Sequence, residues 1–259
     1  MAGPHASDNF MMVMVDESTG NKYMRAVSHK GVGLEGDNSR LVKDMHQELK
    51  AWWHPGGGQN PRILQSDGEP AIVAVREALA RCHGGRITPE QPHRDEHQAN
   101  GLAEVTGRHI RDQARVMKLH LQARLKRKIA QDEPIMPWLL RWAAMTLSRF
   151  GKGKDGKTPY ERQKGKEPTV YGVEFGEKVV YKKKAGDKMN KLGARWDYGV
   201  FVGIETMSNR FALSTPRGIK FARSIKRLTV DKRWSRDCVD WVKFAPWFLY
   251  KGDSGADGE

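Results

Sequence analysis

Two carboxylates, Asp67 and Glu104, stand where a chain can do chemistry on a phosphodiester. Ile63 and Leu64 form a short apolar run stopped by Ser66, Asp67 and Gly68, which reads as a strand ending in a turn. Open α/β sheets build sites at the carboxyl ends of their strands, and that is where Asp67 falls. Glu104 opens a later helical run. Between them, Arg86 to Asn100 is rich in Pro, His and Gln and reads as a loop. Two carboxylates on separate elements offer the hard oxygens that Mg²⁺ takes. Two such ions can clamp the attacking and leaving oxygens of a phosphoryl transfer. Asp–Glu pairs are common in a chain that is 29% charged, so the pair gains meaning only from the residues around it.

The run after Glu104 supplies some of that meaning. Glu104, Arg108, Arg111, Arg115 and Lys118 recur at helical steps and share one face. Ala103, Gly107, Ile110, Ala114, Met117, Leu121 and Leu125 form a neighbouring stripe expected to be buried. A carboxylate in line with four cations suits an anionic polymer lying along the helix. An ordinary amphipathic helix with a solvated basic face has the same pattern.

The whole chain has 259 residues, a net charge of +14 and a pI of about 9.8. Most of the positive excess lies in 151–235, which points to a polyanion partner, most simply nucleic acid. A basic surface without a partner is the plainer alternative. No apolar run is long enough to span a membrane, and Met1 to Phe10 has no signal-peptide core. Cys82 and Cys238 make neither a zinc spacing nor a disulfide framework, so a reducing intracellular setting is expected.

In chain order, Phe10 to Val15 reads as a buried strand, Asp16 to Asn21 as a hairpin turn and Lys22 to Val27 as its partner strand. Helices are expected over Asn38 to Trp53, capped by Asp37 or Asn38, over Pro70 to Cys82, and over Pro134 to Phe150. Arg86-Ile87-Thr88 reads as a short edge strand. From Tyr171 the pattern turns to short β runs: Val173 to Tyr181, Tyr198 to Ile204, Arg210 to Ser214 and Ile219 to Leu228. Asp237 to Tyr250, with Trp241, Phe244, Trp247 and Phe248, is either a helix packed on that β unit or a partner surface.

Ser66-Asp67-Gly68-Glu69 followed by Asn100-Gly101-Leu102-Ala103-Glu104 resembles the DDE integrases of retroviruses and retrotransposons, most closely the copia type. Gly156-Lys157-Thr158-Pro159-Tyr160-Glu161, Lys166-Glu167-Pro168 and Gly199-Val200-Phe201-Val202-Gly203 carry the same resemblance beyond the pair, over roughly Phe10 to Leu228. It implies a ribonuclease H-like mixed α/β sheet with flanking helices over 1–150, its first strand lacking a counterpart. A linker over 151–170, a small basic SH3-like β-barrel over 171–235, and an aromatic segment with a tail over 236–259 would follow.

The activity implied is metal-dependent DNA 3′-end processing and strand transfer with two Mg²⁺ or Mn²⁺ ions. Asp67 and Glu104 would be ligands, and no zinc is expected. Arg108, Arg111, Arg115, Lys118, Lys182, Lys183 and Lys184 would hold DNA, with a homo-multimer and a nuclear location following. The family's first catalytic Asp lies on a strand before the hairpin, where this chain has only the polar residues 1–9. Asp16, at the end of a strand, is the substitute candidate. His93, His97, Glu90, Asp95 and Glu96 could form a metal cluster, although the family's loop there holds none. After Glu104 the family has Arg-Lys-Asn-Arg, where Val105-Thr106-Gly107-Arg108 stands here. Two other readings stay open: a catalytically incomplete nucleic-acid-binding remnant, and a ribonuclease H-like nuclease.

Overall fold

The structure is a computed structural model that describes residues 10–27, 30–33, 39–52, 62–84, 87–90, 97–169, 172–183 and 193–246. Apolar strand residues and amphipathic helices make its first half three layers deep. Strand β1 (Phe10–Val15) pairs antiparallel with β2 (Lys22–Val27), Val13 facing Met24 and Met14 facing Tyr23. Alternation sends the two faces of this hairpin to different helices. Met12, Met14 and Tyr23 pack with Val42, Met45, Trp52, Val75 and Leu79 of helices α1 (Arg40–Ala51) and α2 (Pro70–His83). Met24 and Ala26 pack with Ile110, Ala114, Trp138 and Leu139 of α3 (His97–Leu125) and α4 (Ile135–Phe150). The cap of α1 is Ser39, whose hydroxyl accepts from Val42 N; the expected caps Asp37 and Asn38 lie outside the described residues.

The expected single mixed sheet takes a different form. Strand β3 (Arg62–Gln65) pairs parallel with β4 (Ile87–Glu90), and among the described residues this pair shares no ladder with β1 and β2. Lys30 links the two pairs. Its ammonium binds Glu69 at 2.7 Å and lies 5.2 Å from the Phe10 ring. The start of β1 therefore neighbours the residues that follow β3.

The second half is all antiparallel apart from its short helices. Strands β5 (Lys178–Lys182), β6 (Trp196–Ile204), β7 (Phe211–Thr215), β8 (Gly218–Ala222) and β9 (Ile225–Arg227) form one sheet in the order β8-β7-β6-β5-β9. The run expected as one strand over Ile219 to Leu228 breaks at Arg223-Ser224. Its first part pairs with β7 and its second with β5, so the chain crosses from one edge of the sheet to the other. A bulge shifts the β6–β7 register between Phe201 and Gly203, and Gly203 takes a φ of +144° that disfavours any side chain. The sheet shares a buried core with α3 and α4, and Trp142 meets Phe201 edge-on at 5.1 Å.

Two segments become specific. Within 151–170 lies helix α5 (Pro159–Lys164), closed by a capping box in which Thr158 Oγ1 accepts from Glu161 N while Glu161 accepts from Thr158 N. The aromatic segment begins with the short helix α6 (Arg236–Val239) and packs inward through Val239 and Val242. Trp138 Nε1 donates to Phe244 O, and Ser214 Oγ to Trp241 O. No helix among the described residues is long and apolar enough to cross a membrane.

Candidate active site and basic helix face

Asp67 sits just past the last residue of β3. Its Oδ1 accepts from Glu69 N at 3.2 Å, a local turn that brings the chain to Pro70, the first residue of α2. Arg76 of α2 holds this end of the parallel pair: its Nη1 donates to Glu90 O at 2.7 Å and to Ser66 Oγ at 3.4 Å. Arg76 is buried, so the strand ends beside Asp67 are tied from beneath while the Asp67 side chain stays exposed.

Glu104 is exposed on α3. The helix begins at His97, soon after the last residue of β4, so its first turns start from the end of the sheet that carries Asp67. Among the described residues neither carboxylate has an ion pair, and Glu104 accepts no hydrogen bond. Both are open to a cation, and no ion pair or hydrogen bond joins one to the other.

Asp16 stands elsewhere. Its carboxylate accepts from Ser18 N, Ser18 Oγ and Thr19 Oγ1, closing the β1–β2 turn. The neighbourhood of Glu69 is at the Phe10 end of β1, and Asp16 follows Phe10 by six residue steps of strand, roughly 20 Å. Arg162 of α5 donates to Thr19 O on this turn and binds Asp155. The Gly-Lys-Thr-Pro-Tyr-Glu segment thus braces the hairpin tip. Its Thr158-x-x-Glu161 spacing, with Pro159 at the first helical position, is the local signal that marks the helix.

Helix α3 divides as its periodicity predicts. Ile110, Ala114, Leu121 and Leu125 are buried, and Arg108, Arg111 and Arg115 are exposed. Arg115 spends its charge on Asp112 at 2.7 Å. Arg108, Arg111 and Lys118 have no carboxylate partner among the described residues. Gly107 faces the hairpin: a Cβ there would lie 3.4 Å from Val13 Cγ2 and 3.3 Å from Arg111 Nη1. The bare backbone lets α3 lie close on the hairpin where the family pattern has Asn.

On the five-stranded sheet, Lys182 is exposed at the end of β5 and Lys183 pairs with Asp197 at 3.7 Å. Lys184 and the loop residues His93, Asp95 and Glu96 lie outside the described residues, as does the side chain of His97. Sequence reasoning missed cations paired with aromatic rings: Lys226 over Trp196 at 4.6 Å and Lys178 over Tyr198 at 4.7 Å. Arg227 of β9 donates to the fully buried carboxylate of Glu177 at 2.7 Å. No group of three or more His, Cys, Asp or Glu residues suited to a metal occurs among the described residues.

No protein-family model matches the chain, and no curated protein matches it. Solved structures similar to it include the catalytic core domain of BIV integrase, at 19% identity over 61% of this chain and 88% of that one, with a TM-score of 0.41. Another is the simian T-cell lymphotropic virus intasome in complex with the PP2A regulatory subunit B56 gamma, at 14% identity over 85% of this chain and 73% of that one, with a TM-score of 0.43.

Proposed function

We propose that this chain is the integrase core and basic β module of a copia-type retroelement, acting on DNA ends through a divalent metal. The observation that carries the reading is that Asp67 and Glu104 are both exposed, with no ion pair among the described residues. One carboxylate follows a parallel strand, and the other lies two turns into helix α3, whose outward side bears exposed Arg108 and Arg111 and half-buried Lys118.

The donor set suits a hard cation: two exposed carboxylates with no cation partner among the described residues. Mg²⁺ binds through one or two carboxylates together with substrate phosphates. Asp67 and Glu104 would hold it, and when bound it supplies charge neutralisation at the reacting phosphate. Arg108, Arg111 and Lys118 bind the DNA backbone as sequence-independent contacts that align the strand with Glu104. Arg76 keeps the β3 and β4 ends in register, so the Asp67 turn holds its position. The five-stranded sheet, read as the SH3-like module, adds Lys182 and the Lys226–Trp196 pair as further DNA contacts. DNA ends and target DNA are the partners of this reading, with a homo-multimer and a nuclear location.

A second reading, a nucleic-acid-binding remnant, is favoured by one observation: Asp16, the candidate third carboxylate, is engaged in the turn at the far end of β1. A branched DNA that reports strand rejoining in Mn²⁺ separates the two. Under the integrase reading the unmodified chain rejoins it, and Asp67→Asn or Glu104→Gln abolishes rejoining while leaving DNA binding in place. Salt-sensitive binding with no rejoining by the unmodified chain overturns the catalytic reading and supports the remnant.

A further inference from the structure

The ends of α1, α4 and α5, the start of β2 and the β6–β7 turn surround a cavity of about 260 Å³. Among the described residues its wall carries Lys22, Arg25, Lys50, Arg141, Arg149 and Lys164 against one carboxylate, Glu48. That carboxylate is engaged: Arg25 lies 3.3 Å from it, and Thr206 Oγ1 donates to it at 3.1 Å. Arg25 in turn binds Asp44 at 2.6 Å.

Arg141 is the decisive group. It is 8% exposed, yet its guanidinium donates to no acceptor among the described residues. It meets the Trp138 ring at 5.9 Å and the field of Glu48. Its nitrogens are not among the sealed, unpartnered donors of the described residues, so the planar fork is presented to the cavity. The Lys22 ammonium donates to Gly20 O at 2.8 Å. Burial and then the nearby Arg162 push the Lys22 ammonium below its usual range. Burial and then Lys166 and Arg149 do the same to Lys164. Like charges crowd the cavity wall, an arrangement that an anion would relieve.

We propose that this cavity binds a phosphate group, with Arg141, Lys22 and Lys164 as its cationic contacts. The space equals that of about eight waters, enough for a phosphate or one sugar-phosphate. A guanidinium matches phosphate oxygens two at a time, and an ammonium adds a point charge. The phosphate comes either free in solution or from a DNA backbone. The site shares no residue with Asp67 and Glu104, so it stands or falls apart from the integrase reading.

The test is thermal unfolding of the full chain in inorganic phosphate against chloride at equal ionic strength, beside Arg141→Gln and Lys164→Gln. A bound anion raises Tm by mass action. The unmodified chain should show that rise, and each variant should bind phosphate at least about tenfold more weakly. Lys164 is half-buried at the end of α5, so its variant reports even where Arg141→Gln unfolds. A Tm that ignores phosphate, or an equal rise in the Lys164 variant, overturns the proposal. A short duplex that displaces the phosphate identifies the DNA backbone as its source; a duplex that leaves it bound identifies free phosphate.

Discussion

The β structure before α3 and the β structure after α4 are built on opposite terms. In the second half, strands β5 to β8 join neighbour to neighbour, and β6 is buried from Gly199 to Ile204 between β5 and β7. In the first half, among the described residues, the helices cover only two-stranded ladders. Phe10 and Met11 are 44% exposed and Ile63 is 68% exposed. Apolar residues on unpaired edges are normally covered or blunted by charge. The difference teaches where stability resides. The later sheet is a finished core, whereas the earlier pairs hold Asp67 on a thinner support, tied by Arg76 and Lys30.

The largest test of that contrast is core truncation. Phe201 is fully buried between Trp142 and Phe211, so Phe201→Ala should cost about 3–5 kcal/mol in denaturant unfolding. Leu64 of β3 is only half-buried, and Leu64→Ala should cost about 1 kcal/mol. Equal losses would mean that the first half is packed as tightly as the second.

Buried charge gives a smaller contrast. Arg25→Ala strands two buried carboxylates, Asp44 and Glu48, and should cost about 3 kcal/mol. Glu177→Gln leaves Arg227 and Arg233 partly exposed and still able to find water, so its cost should be about 1–2 kcal/mol. If urea midpoints rank these two in reverse order, the later sheet depends on its ion cluster more than on its apolar core.

The smallest effect is at the hairpin brace. The Arg162 hydrogen bond holds the Asp155 carboxyl down from its ordinary 3.8 to about 2. A carboxylate lowered in the folded state adds stability that is present above pH 3.8 and fades as pH falls toward 2. Asp155→Asn should lower the unfolding midpoint at neutral pH toward its acid value, leaving the acid end unchanged and flattening the fall between pH 3.8 and 2. An unchanged acid limb would show that α5 braces the tip through backbone contacts alone.

Local patterns carried much of this molecule. The continuous apolar run Phe10 to Val15, the Ser-Thr-Gly-Asn turn and the two faces of α3 were legible because each depends on residues a few positions apart. The copia-like words around Asp67 and Glu104 marked the candidate pair. Helix α5 escaped notice although its capping box was present, because Gly and Lys around it read as linker. The acidic face of α1 escaped for another reason. Asp44 and Glu48 look like solvated charges until Arg25, from a strand earlier in the chain, is found beside them.

By itself the sequence determined the strands β1 and β2, the helices α1, α2 and α4, which face of α3 is basic, and where the two carboxylates Asp67 and Glu104 fall. Only the tertiary structure decided that β1–β2 and β3–β4 form separate ladders among the described residues and that the Asp16 carboxylate is engaged within its own turn. It alone gathered Lys22, Arg141, Arg149 and Lys164 around one cavity. The physical reason is range. Periodicity and capping act over one or two turns, whereas ladder pairing and the burial of charge depend on partners that folding brings together from distant parts of the chain.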